Sequence, residues 1–413
     1  MAQRPTRRQH GGGRQQRPAA PAVRLPDETV TVEKMAAGGD AIARLADGRV
    51  IFVDGALPGE TVRVRIHTAK KDFAKGTVAE VVAASDARVA PPCPELARGC
   101  GGCGWQHVEP TAQLALKAEI VADALRRTAR LPDAEVTIGG SVPAWGYRTT
   151  MRLAVAEGGR LGLRAAGSHR VVPLAECPVA HPALAALLPD VRVANTDEVT
   201  LRVSVATGEC TAWSPDRSMV LSGLPSEAQV GAEAALYETV AGASLRVSAA
   251  SFFQSGPAAA ELLMRTVRDA CGDALTDLRG PLLDAYGGVG LFSVALGVEQ
   301  SVLVESSASS CADAVVNLRS RSVVHRSLFE EWTPQPVDLA VVDPARAGLG
   351  AAAADVLAAT DAARIVLVSC DPVSLARDTT LLAAHGYVHA GSTVLDLFPH
   401  TPHVEVVTRF DRT

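Results

Sequence analysis

The first patterned part of the chain consists of short segments in which apolar and polar residues alternate or β-branched residues dominate. These segments are Thr29–Glu33, Gly48–Val53, Glu60–Ile66 and Gly76–Val82. Alternation with a period of two is typical of half-buried strands, and the glycine-containing dipeptides between the segments predict turns. Four or five strands in so short a stretch predict a small β-barrel over residues 27–86.

A helical pattern and then further strand patterns follow the predicted barrel. Apolar residues repeat at helical spacing over Gln113–Leu131, which predicts one helix that ends before a proline. Alternation predicts strands at 149–155, 161–164 and 199–205. We therefore predict a second, β-rich domain over residues 87–246. Three of its residues are candidate substrate contacts: Tyr147, Arg148 and Arg152.

From residue 247 onward, buried strands alternate with helices, which is the pattern of a doubly wound α/β sheet. Gly280–Leu296 has the pattern of a strand, a glycine-rich turn and a helix, in which the backbone can approach a nucleotide. The next strand ends in Glu305, where an acid can hold a ribose. The sequence has no Walker lysine motif, so adenosyl binding fits better than nucleoside triphosphate hydrolysis. Residues 247–413 are therefore predicted to form a Rossmann-like α/β domain.

A thiol lies at the carboxyl end of another buried strand. Ile365–Val368 is continuously apolar, and Cys370 follows it just before a helix that Asp371 or Ser374 can cap. Ligands of open α/β sheets bind beyond the carboxyl ends of the strands, and a thiol near a helix N-terminus tends to have a lowered pKa. Cys370 is therefore a candidate nucleophile, although a lone cysteine is often a buried packing residue instead.

A carboxylate interrupts the last apolar strand of the chain at Glu405. Burying a carboxylate is unfavourable unless it is paired or used. Glu405 is therefore either a functional residue or a charged residue of an edge strand.

The composition fits a globular, multidomain protein with no global preference for nucleic acid. The chain has 413 residues, of which 47 % are hydrophobic and 21 % charged, and a formal net charge of −5. Any RNA contact must therefore come from local basic patches. One such patch lies on the predicted barrel and comprises Arg63, Arg65, Lys70, Lys71 and Lys75 beside His67 and Phe73.

The N-terminal segment and the apolar runs bear on where the protein acts. Residues 1–26 are rich in Arg, Gln, Gly and Pro and contain no acid, so we predict a disordered basic tail. No apolar run is long enough to span a membrane, and the basic N-terminus is not followed by an apolar segment as in a secretory signal. We therefore expect a cytoplasmic protein without membrane contact.

Four of the eight cysteines form a ligand pattern. Cys93, Cys100 and Cys103 share a loop rich in glycine and proline, and Cys177 precedes a proline, as cluster ligands often do. Disulfides are not expected in the cytoplasm, and four thiolates fit either zinc or an iron–sulfur cluster. Three other cysteines have no such neighbours and are interpreted as packing residues: Cys210, Cys271 and Cys311.

Six segments, taken together, carry a resemblance to a known family. They are, in chain order, Cys100–His107, Ser251–Gln254, Asp284–Gly290, Asp343–Gly348, Ser369–Pro372 and His400–Glu405. Their residues and their order resemble the bacterial RNA uracil-5 methyltransferase family, which transfers a methyl group from S-adenosylmethionine to uridine. The resemblance covers the chain from about Glu28 to its end.

The resemblance implies a fold, cofactors and site residues. It implies an OB-like TRAM barrel that binds nucleic acid, a central domain with a [4Fe–4S] cluster, and a class I methyltransferase domain. It also implies that S-adenosylmethionine is held by Gln254, Tyr286, Glu305 and Asp343. Two departures stand out. Six residues separate Cys93 from Cys100 where five are expected, and Asp371 replaces an Asn, which would raise the pKa of the neighbouring thiol if ionised.

The implied reaction explains why these residue types are needed. Cys370 would add to carbon 6 of uracil and make carbon 5 electron-rich, and Glu405 would then remove the carbon 5 proton. Since both faces of the base must be reached, the expected partner is a flipped uridine in single-stranded or loop RNA. The resemblance favours ribosomal over transfer RNA, and we expect a monomer. The alternatives are a cytosine-5 methyltransferase and a non-catalytic RNA-binding iron–sulfur protein.

Overall fold

The computed structural model describes residues 26–320 and 322–413. The predicted basic tail over residues 1–26 therefore lies outside the described residues except for Pro26. Within the two described ranges, no helix is both long enough and apolar enough to cross a membrane.

Residues 28–83 fold into the predicted barrel. Its strands are β1 (Glu28–Met35), β2 (Ala41–Arg44), β3 (Val50–Asp54), β4 (Thr61–Ala69) and β5 (Phe73–Ala83). They close in the order β1–β2–β3–β5–β4, with β1 antiparallel to β4 and β3 parallel to β5. The sequence alternates because Val62 and Val64 of β4 face the barrel core, whereas Arg63 and Arg65 are exposed.

The central part of the chain contains short helices and small, mostly antiparallel sheets. Its helices are α1 (Pro94–Ala97), α2 (Pro110–Arg127) and α3 (Pro182–Ala185), with a 3₁₀ turn at Glu157–Gly159. Its strands are β6 (Val136–Ser141), β7 (Thr150–Val155), β8 (Leu161–Arg164), β9 (Val171–Pro173), β10 (Arg192–Ala194), β11 (Glu198–Val203), β12 (Cys210–Trp213), β13 (Val220–Ser222), β14 (Gln229–Val230), β15 (Ala235–Val240) and β16 (Ala243–Ser248). One sheet has the order β14–β12–β11–β7–β8–β9, β10 pairs with β13, and β15 and β16 form a hairpin.

Helix α2 differs from its predicted bounds. It begins at Pro110, where a proline is favoured because the first helical N–H needs no intrahelical partner. It ends at Arg127 rather than at Leu131. Arg130 has a left-handed backbone (φ 59°), so the chain has left the helix before it reaches the proline that was expected to stop it.

The C-terminal part forms the predicted α/β domain. Its strands are β17 (Leu282–Ala285), β18 (Ser301–Glu305), β19 (Val323–Arg326), β20 (Leu339–Val342), β21 (Arg364–Ser369), β22 (Tyr387–Asp396) and β23 (Glu405–Arg412). Its helices are α4 (Pro257–Cys271), α5 (Asp273–Thr276), α6 (Leu291–Ala295), α7 (Ala308–Asn317), α8 (Gly350–Ala358) and α9 (Pro372–Ala384), with a 3₁₀ turn at Phe329–Glu331. Among the described residues, the sheet has the order β19–β18–β17–β20–β21–β23–β22–β6.

The strand directions bring the predicted site residues to one edge of this sheet. Strands β17, β18, β20 and β21 are parallel, so their carboxyl ends meet at the same edge. Strand β23 is antiparallel to β21, and their register pairs Ser369 with Val406. Glu405, the first residue of β23, therefore lies at that edge as well. Every residue of β21 is buried, as its continuous apolar run predicted.

One strand crosses the predicted boundary between the last two domains. Strand β6 lies in the segment that the sequence assigned to the central domain, yet it pairs in parallel with β22 at the edge of the C-terminal sheet. The barrel followed by an α/β domain confirms the predicted fold class, whereas the division of the chain at residue 246 stays a prediction.

Candidate active site

Cys370 lies between β21 and α9 and is partly buried. The neighbouring Asp371 is the N-cap of α9, because its Oδ1 accepts hydrogen bonds from the N–H groups of Val373 (3.0 Å) and Ser374 (2.9 Å). The carboxylate that departs from the family pattern therefore satisfies the end of the helix, whose dipole stabilises its charge.

Two carboxyl groups approach the thiol from neighbouring strands. Glu405 is 5 % exposed and begins β23 beside the end of β21. Asp343 follows β20, and its N–H donates to the carbonyl of Ala285 at 3.1 Å. Burial, and then Asp343, raises the pKa of Glu405 well above its usual range. Burial, and then Asp284, raises the pKa of Asp343 to about 7. Carboxyl groups in such surroundings favour their protonated forms more than exposed ones do.

The pKa of Cys370 is raised rather than lowered. Burial, and then the carboxyl groups of Glu405 and Asp343, raise it to about 11, although the guanidinium of Arg346 acts in the opposite direction. The predicted lowering by the helix N-terminus is therefore wrong. The sequence could not show this, because both carboxyl groups come from strands that are distant along the chain.

A cavity of about 230 Å³ opens on Cys370. Its wall comes from the barrel, from α2 and from the C-terminal domain, and includes Ala37, Gly38, Ile120, Arg346, Pro402 and His403. A ligand presented to the thiol is therefore enclosed by three separate parts of the chain. Of these residues, Arg346, Pro402 and His403 stood within motifs of the sequence. The barrel turn and α2 carried no signal that could have predicted their place here.

The glycine-rich turn after β17 lies against Glu305 and borders open space. The N–H of Gly288 donates to Oε2 of Glu305 at 3.1 Å. Gly288 and Gly290 have φ values of 54° and 87°, which glycine adopts readily. A Cβ at Gly288 would meet no described atom within 4 Å. Tyr286 packs its ring against that of Phe329, with 5.3 Å between centroids. Turn, ring and carboxylate together form a cradle that fits an adenosyl group.

Asp284 places an unsatisfied oxygen beside this cradle. Its Oδ2 accepts a hydrogen bond from Oγ of Ser293 at 2.6 Å, whereas its buried Oδ1 has no hydrogen-bond partner among the described residues. Burial raises the pKa of Asp284 to about 7, and the charge of Glu305 contributes in the same direction. An orphaned buried acceptor is costly, which supports a polar ligand at this edge of the sheet.

Gln254 is 6 % exposed and lies in the loop between β16 and α4. The loop is fixed by Ser251, whose Oγ donates to Oδ2 of Asp313 at 2.6 Å and whose carbonyl accepts from Nη2 of Arg202 at 2.8 Å. Sequence reasoning missed Asp313 and Arg202, because a buried charge that links distant elements leaves no local pattern.

The four predicted ligand cysteines surround one small cavity. Burial and, to a smaller extent, Cys103 and Cys93 together raise the pKa of Cys177 to about 11, so the thiols are close enough to interact. Cys100 completes the set. Within residues 26–320 and 322–413, however, no three Cys, His, Asp or Glu side chains are grouped so as to hold a single metal ion. The iron–sulfur cluster and its zinc alternative stay predictions.

The central residues proposed as substrate contacts mostly bind other parts of the chain. The hydroxyl of Tyr147 donates to the carbonyl of Pro399 at 3.2 Å, and Nε of Arg148 donates to that hydroxyl at 3.3 Å. Arg148 also lies 5.7 Å from the ring of Phe398. Arg152 is exposed and forms an ion pair with a neighbouring strand through Glu198. Contact of these three residues with substrate stays a prediction.

The basic patch of the barrel is only partly available for a ligand. Arg63 pairs with Glu80 at 2.6 Å and with Asp27 at 3.5 Å, and the ammonium group of Lys70 lies 5.3 Å from the centroid of the Phe73 ring. The remaining basic members of the patch are exposed: Arg65, His67, Lys71 and Lys75. The patch therefore offers fewer unpaired charges than its sequence predicts.

Comparison with known proteins covers nearly the whole chain. The sequence model of the TRAM domain matches residues 28–79. An RNA methyltransferase of Streptomyces avermitilis is 34 % identical over 92 % of this chain and 96 % of its own length. The 23S rRNA (uracil(1939)-C(5))-methyltransferases of Methylococcus capsulatus and Azoarcus sp. are 31 % and 30 % identical over 98 % and 93 % of this chain, and over 100 % and 99 % of their own lengths.

A solved structure supports the fold. The tRNA (uracil-54, C5)-methyltransferase of Pyrococcus abyssi, in complex with S-adenosyl-L-homocysteine, superposes with a TM-score of 0.67 at 24 % identity, over 92 % of this chain and 99 % of that chain. Since relatives at 30 % identity or more span nearly its full length, the chain belongs to the RNA uracil-5 methyltransferase family.

Proposed function

We propose that the protein transfers a methyl group from S-adenosylmethionine to carbon 5 of a uridine in RNA, with ribosomal RNA favoured over transfer RNA. The observation that carries the proposal is the convergence of Cys370, Glu405 and Asp343 at one edge of the sheet, next to the cradle at Glu305. The preference for ribosomal RNA is supported by the two relatives named as 23S rRNA enzymes, which share 30–31 % identity, whereas the tRNA enzyme shares 24 %.

The residues around the glycine-rich turn fit S-adenosylmethionine. Glu305 is placed to accept hydrogen bonds from ribose hydroxyls, and Gln254, Tyr286 and Asp343 would complete the pocket. Bound there, S-adenosylmethionine supplies an electrophilic methyl group. The chain itself must hold the uracil against that group and make carbon 5 nucleophilic.

Cys370 and Glu405 divide the chemistry between them. As a thiolate, Cys370 adds to carbon 6 of uracil, and the electron pair of the 5,6 double bond makes carbon 5 nucleophilic. The methyl–sulfur bond breaks as carbon 5 bonds to the methyl group, which leaves S-adenosylhomocysteine, and Glu405 in its carboxylate form then removes the carbon 5 proton. The carbon–sulfur bond then breaks and the double bond returns. Because the pKa of Cys370 is about 11, the thiol must lose its proton as the substrate binds. Arg346, which lowers that pKa, lies in the cavity wall.

The position of Cys370 also bears on how RNA must bind. The thiol lies inside a cavity of about 230 Å³, and a base within a duplex cannot enter such a site without leaving its stack. The proposed substrate is therefore a uridine rotated out of single-stranded or loop RNA. We also expect the enzyme to act as a monomer in the cytoplasm, and size-exclusion chromatography with light scattering tests the first of these expectations.

RNA that carries 5-fluorouridine, offered with S-adenosylmethionine, tests the mechanism. Fluorine at carbon 5 cannot be removed as a proton, so a covalent adduct with Cys370 should accumulate and survive denaturing electrophoresis. Cys370→Ala should abolish both the adduct and methyl transfer. The matched variant Cys210→Ala, which changes a buried cysteine of β12, should retain both. An adduct that persists in Cys370→Ala would contradict the assignment.

A second assay separates uracil from cytosine as the target base. RNA labelled with tritium at carbon 5 of uridine should release tritium when methylated, whereas RNA labelled at carbon 5 of cytidine should not. Release from cytidine alone would assign the protein to cytosine methylation instead.

We also propose that Cys93, Cys100, Cys103 and Cys177 hold a [4Fe–4S] cluster. The shared cavity supports this, because the thiolates of such a cluster bind different iron atoms, whereas all ligands of one zinc ion lie about 2.0–2.3 Å from it. Protein purified without oxygen should be brown and contain iron and sulfide. Cys100→Ser should lose the colour, whereas Cys210→Ser should keep it. A colourless protein with one zinc per chain would refute the cluster.

A further inference from the structure

The segment that leads to Glu405 rests on a buried polar face of α2. Residues 397–404 join β22 to β23 and end immediately before Glu405. Helix α2 contributes Gln113 and Lys117, both 0 % exposed. Residues four apart lie on the same face of a helix, so the two side chains act together. Buried polar groups are unfavourable unless their donors and acceptors are satisfied, and here the partners include Phe398 and His400 of this segment.

Gln113 binds the segment at its centre. Its Oε1 accepts a hydrogen bond from the N–H of His400 at 2.6 Å, and its Nε2 lies 3.2 Å from Nδ1 of the same residue. Nε2 also donates to the carbonyl of Val108 at 2.9 Å. The carbonyl of His400 accepts from the N–H of Trp105 at 2.8 Å. Both backbone polar groups of His400 are therefore held by α2 and by the loop that precedes it.

The backbone at His400 needs such support. It has a left-handed φ of 67°, a conformation that persists in a non-glycine residue only when its surroundings enforce it. Its ring is stacked on Trp145 with 3.9 Å between centroids. One helical turn along α2, Nζ of Lys117 donates to Oδ1 of Asp396 at 2.6 Å and to the carbonyl of Phe398 at 3.3 Å. The segment is thus anchored at its start and at its middle.

These contacts connect the loop that carries Cys93, Cys100 and Cys103, here called the cysteine loop, to the proposed general base Glu405. Trp105 and Val108 lie just after Cys103 in the chain, and Gln113 joins them to His400, five residues before Glu405. We infer that Gln113 is a positioning residue that holds Glu405 where it can reach carbon 5 of the bound base. The inference rests on the proposed function. Gln113 touches neither substrate nor cofactor and acts through the 397–404 segment.

The expected signature is specific to the step that Glu405 performs. If the base is displaced, Cys370 still adds to carbon 6 and the methyl group still transfers, but proton removal is delayed. In Gln113→Leu, kcat should therefore fall about 10- to 100-fold, as a displacement of about 1 Å at a reacting group does. The values of kcat/KM for RNA and for S-adenosylmethionine should be unchanged, so each KM should fall together with kcat. The fraction of ordinary uridine RNA that is bound covalently during turnover should rise above that of the wild type.

Two further variants make the result decisive. Gln113→Glu keeps the shape and an acceptor for the N–H of His400, so it should lose less activity than Gln113→Leu, and it replaces that variant if Gln113→Leu does not fold. Asp123→Asn changes another buried polar residue of α2, whose partner Lys34 lies in the barrel at 2.9 Å. It should leave kcat and the adduct fraction unchanged.

The possible outcomes separate the inference from the proposed function. Wild-type kcat in the Gln113 variants, or a fall in kcat without more adduct, overturns the positioning role while the reaction itself stands. If the wild-type protein neither methylates uridine nor is trapped by 5-fluorouridine RNA, the proposed function fails and the inference fails with it.

Discussion

The thiol of Cys370 shares its surroundings with the carboxyl groups of Glu405 and Asp343, which raise its pKa together with burial. A thiol with a pKa of about 11 is almost entirely protonated at neutral pH. Since oxidants and electrophiles react with the thiolate, the protonated thiol of Cys370 is protected from them. In the proposed mechanism, Glu405 would therefore act as general base and also keep Cys370 protonated between turnovers.

Replacing Glu405 by Gln should make Cys370 easier to alkylate. The substitution removes a charge that raises the pKa of the thiol, so the thiolate should appear at lower pH. Alkylation of Cys370 by iodoacetamide, followed by peptide mass spectrometry, should be faster in Glu405→Gln than in the wild type between about pH 8 and 10. Glu198→Gln is the matched control, because Glu198 lies on β11 and is not among the groups that shift the pKa of Cys370. Equal rates in Glu405→Gln and wild type would contradict the pKa argument.

The buried Asp284 should make stability depend on pH. Its pKa is raised from 3.8 to about 7, so the folded chain binds the proton more tightly than the unfolded chain does. That stabilisation is complete below about pH 4 and is lost as the pH rises through about 7, by on the order of 4 kcal/mol. In urea unfolding at a series of pH values, Asp284→Asn should therefore lose less stability over this range than the wild type. Identical pH profiles would show that Asp284 does not carry the effect.

At the scale of elements, helix α9 fixes where the thiol lies. Its N-cap directly follows Cys370, so the cap determines how the chain turns from β21 into the helix. Asp371→Ala should reduce the free energy of unfolding by about 1 kcal/mol, the usual effect of losing a cap, and Asp371→Asn should preserve it. Urea unfolding measures both. A loss of stability in Asp371→Asn equal to that in Asp371→Ala would mean that charge, and not capping, is what Asp371 contributes.

The elements that the sequence predicted well have strong local patterns. The continuously apolar run Ile365–Val368 predicted a buried strand, and all of its residues are buried in β21, with Cys370 following at the carboxyl end. Glu405 stood out as a charge within an apolar strand. Helix α2, by contrast, ends at Arg127, and no glycine signals the left-handed backbone that follows at Arg130.

Other features could not be predicted because they depend on distant contacts. Gln113 and Lys117 have the spacing of ordinary polar positions on an amphipathic helix, and only the folded chain shows that they face the 397–404 segment. The pKa of Cys370 was predicted with the wrong sign for the same reason. Strand β6 has two adjacent glycines, Gly139 and Gly140, and no distinct alternation of apolar and polar residues. The sequence alone therefore could not predict its place in the C-terminal sheet.

At the scale of the whole molecule, the turn between β1 and β2 of the barrel contacts two other parts of the chain. A Cβ at Gly39 would lie 2.6 Å from Cβ of Pro402 and 3.0 Å from Nε1 of Trp105. The indole of Trp105 also donates to the carbonyl of Gly39 at 3.2 Å. The barrel, the cysteine loop and the 397–404 segment therefore meet at this turn.

Gly39→Ala and Gly38→Ala form a matched pair that tests this contact. Both glycines have positive φ values, 100° and 96°, but a Cβ at Gly38 meets no described atom within 4 Å. Gly38→Ala should therefore destabilise the protein only by the strain of a left-handed backbone in a residue with a Cβ, about 1–2 kcal/mol. Gly39→Ala should lower the free energy of unfolding by a larger amount. It should also lower kcat, because the added Cβ would displace Pro402 and with it the 397–404 segment. Urea unfolding and a methyl-transfer assay measure the two effects, and equal losses of stability would argue against the contact.

The barrel should contribute non-specific attraction for RNA. Lys71→Ala and Arg65→Ala remove exposed charges, so each should weaken RNA binding and reduce the slope of log affinity against log salt by about 1. Arg63→Ala should have a smaller effect, because Glu80 and Asp27 already offset its charge. Fluorescence anisotropy at several salt concentrations measures these slopes. An equal change in all three variants would indicate that the ion pairs of Arg63 open when RNA binds.

The parallel pairing of β6 with β22 has a consequence for synthesis of the chain. Val136 emerges from the ribosome about 250 residues before Tyr387, a delay of roughly 10–50 s at 5–20 residues per second. During that interval β6 has no partner of its own, while the strands around it can already pair with one another. The sheet that carries Cys370 and Glu405 is therefore completed only after β22 has been synthesised. A nascent chain interrupted earlier carries an unmatched strand that invites association with other chains.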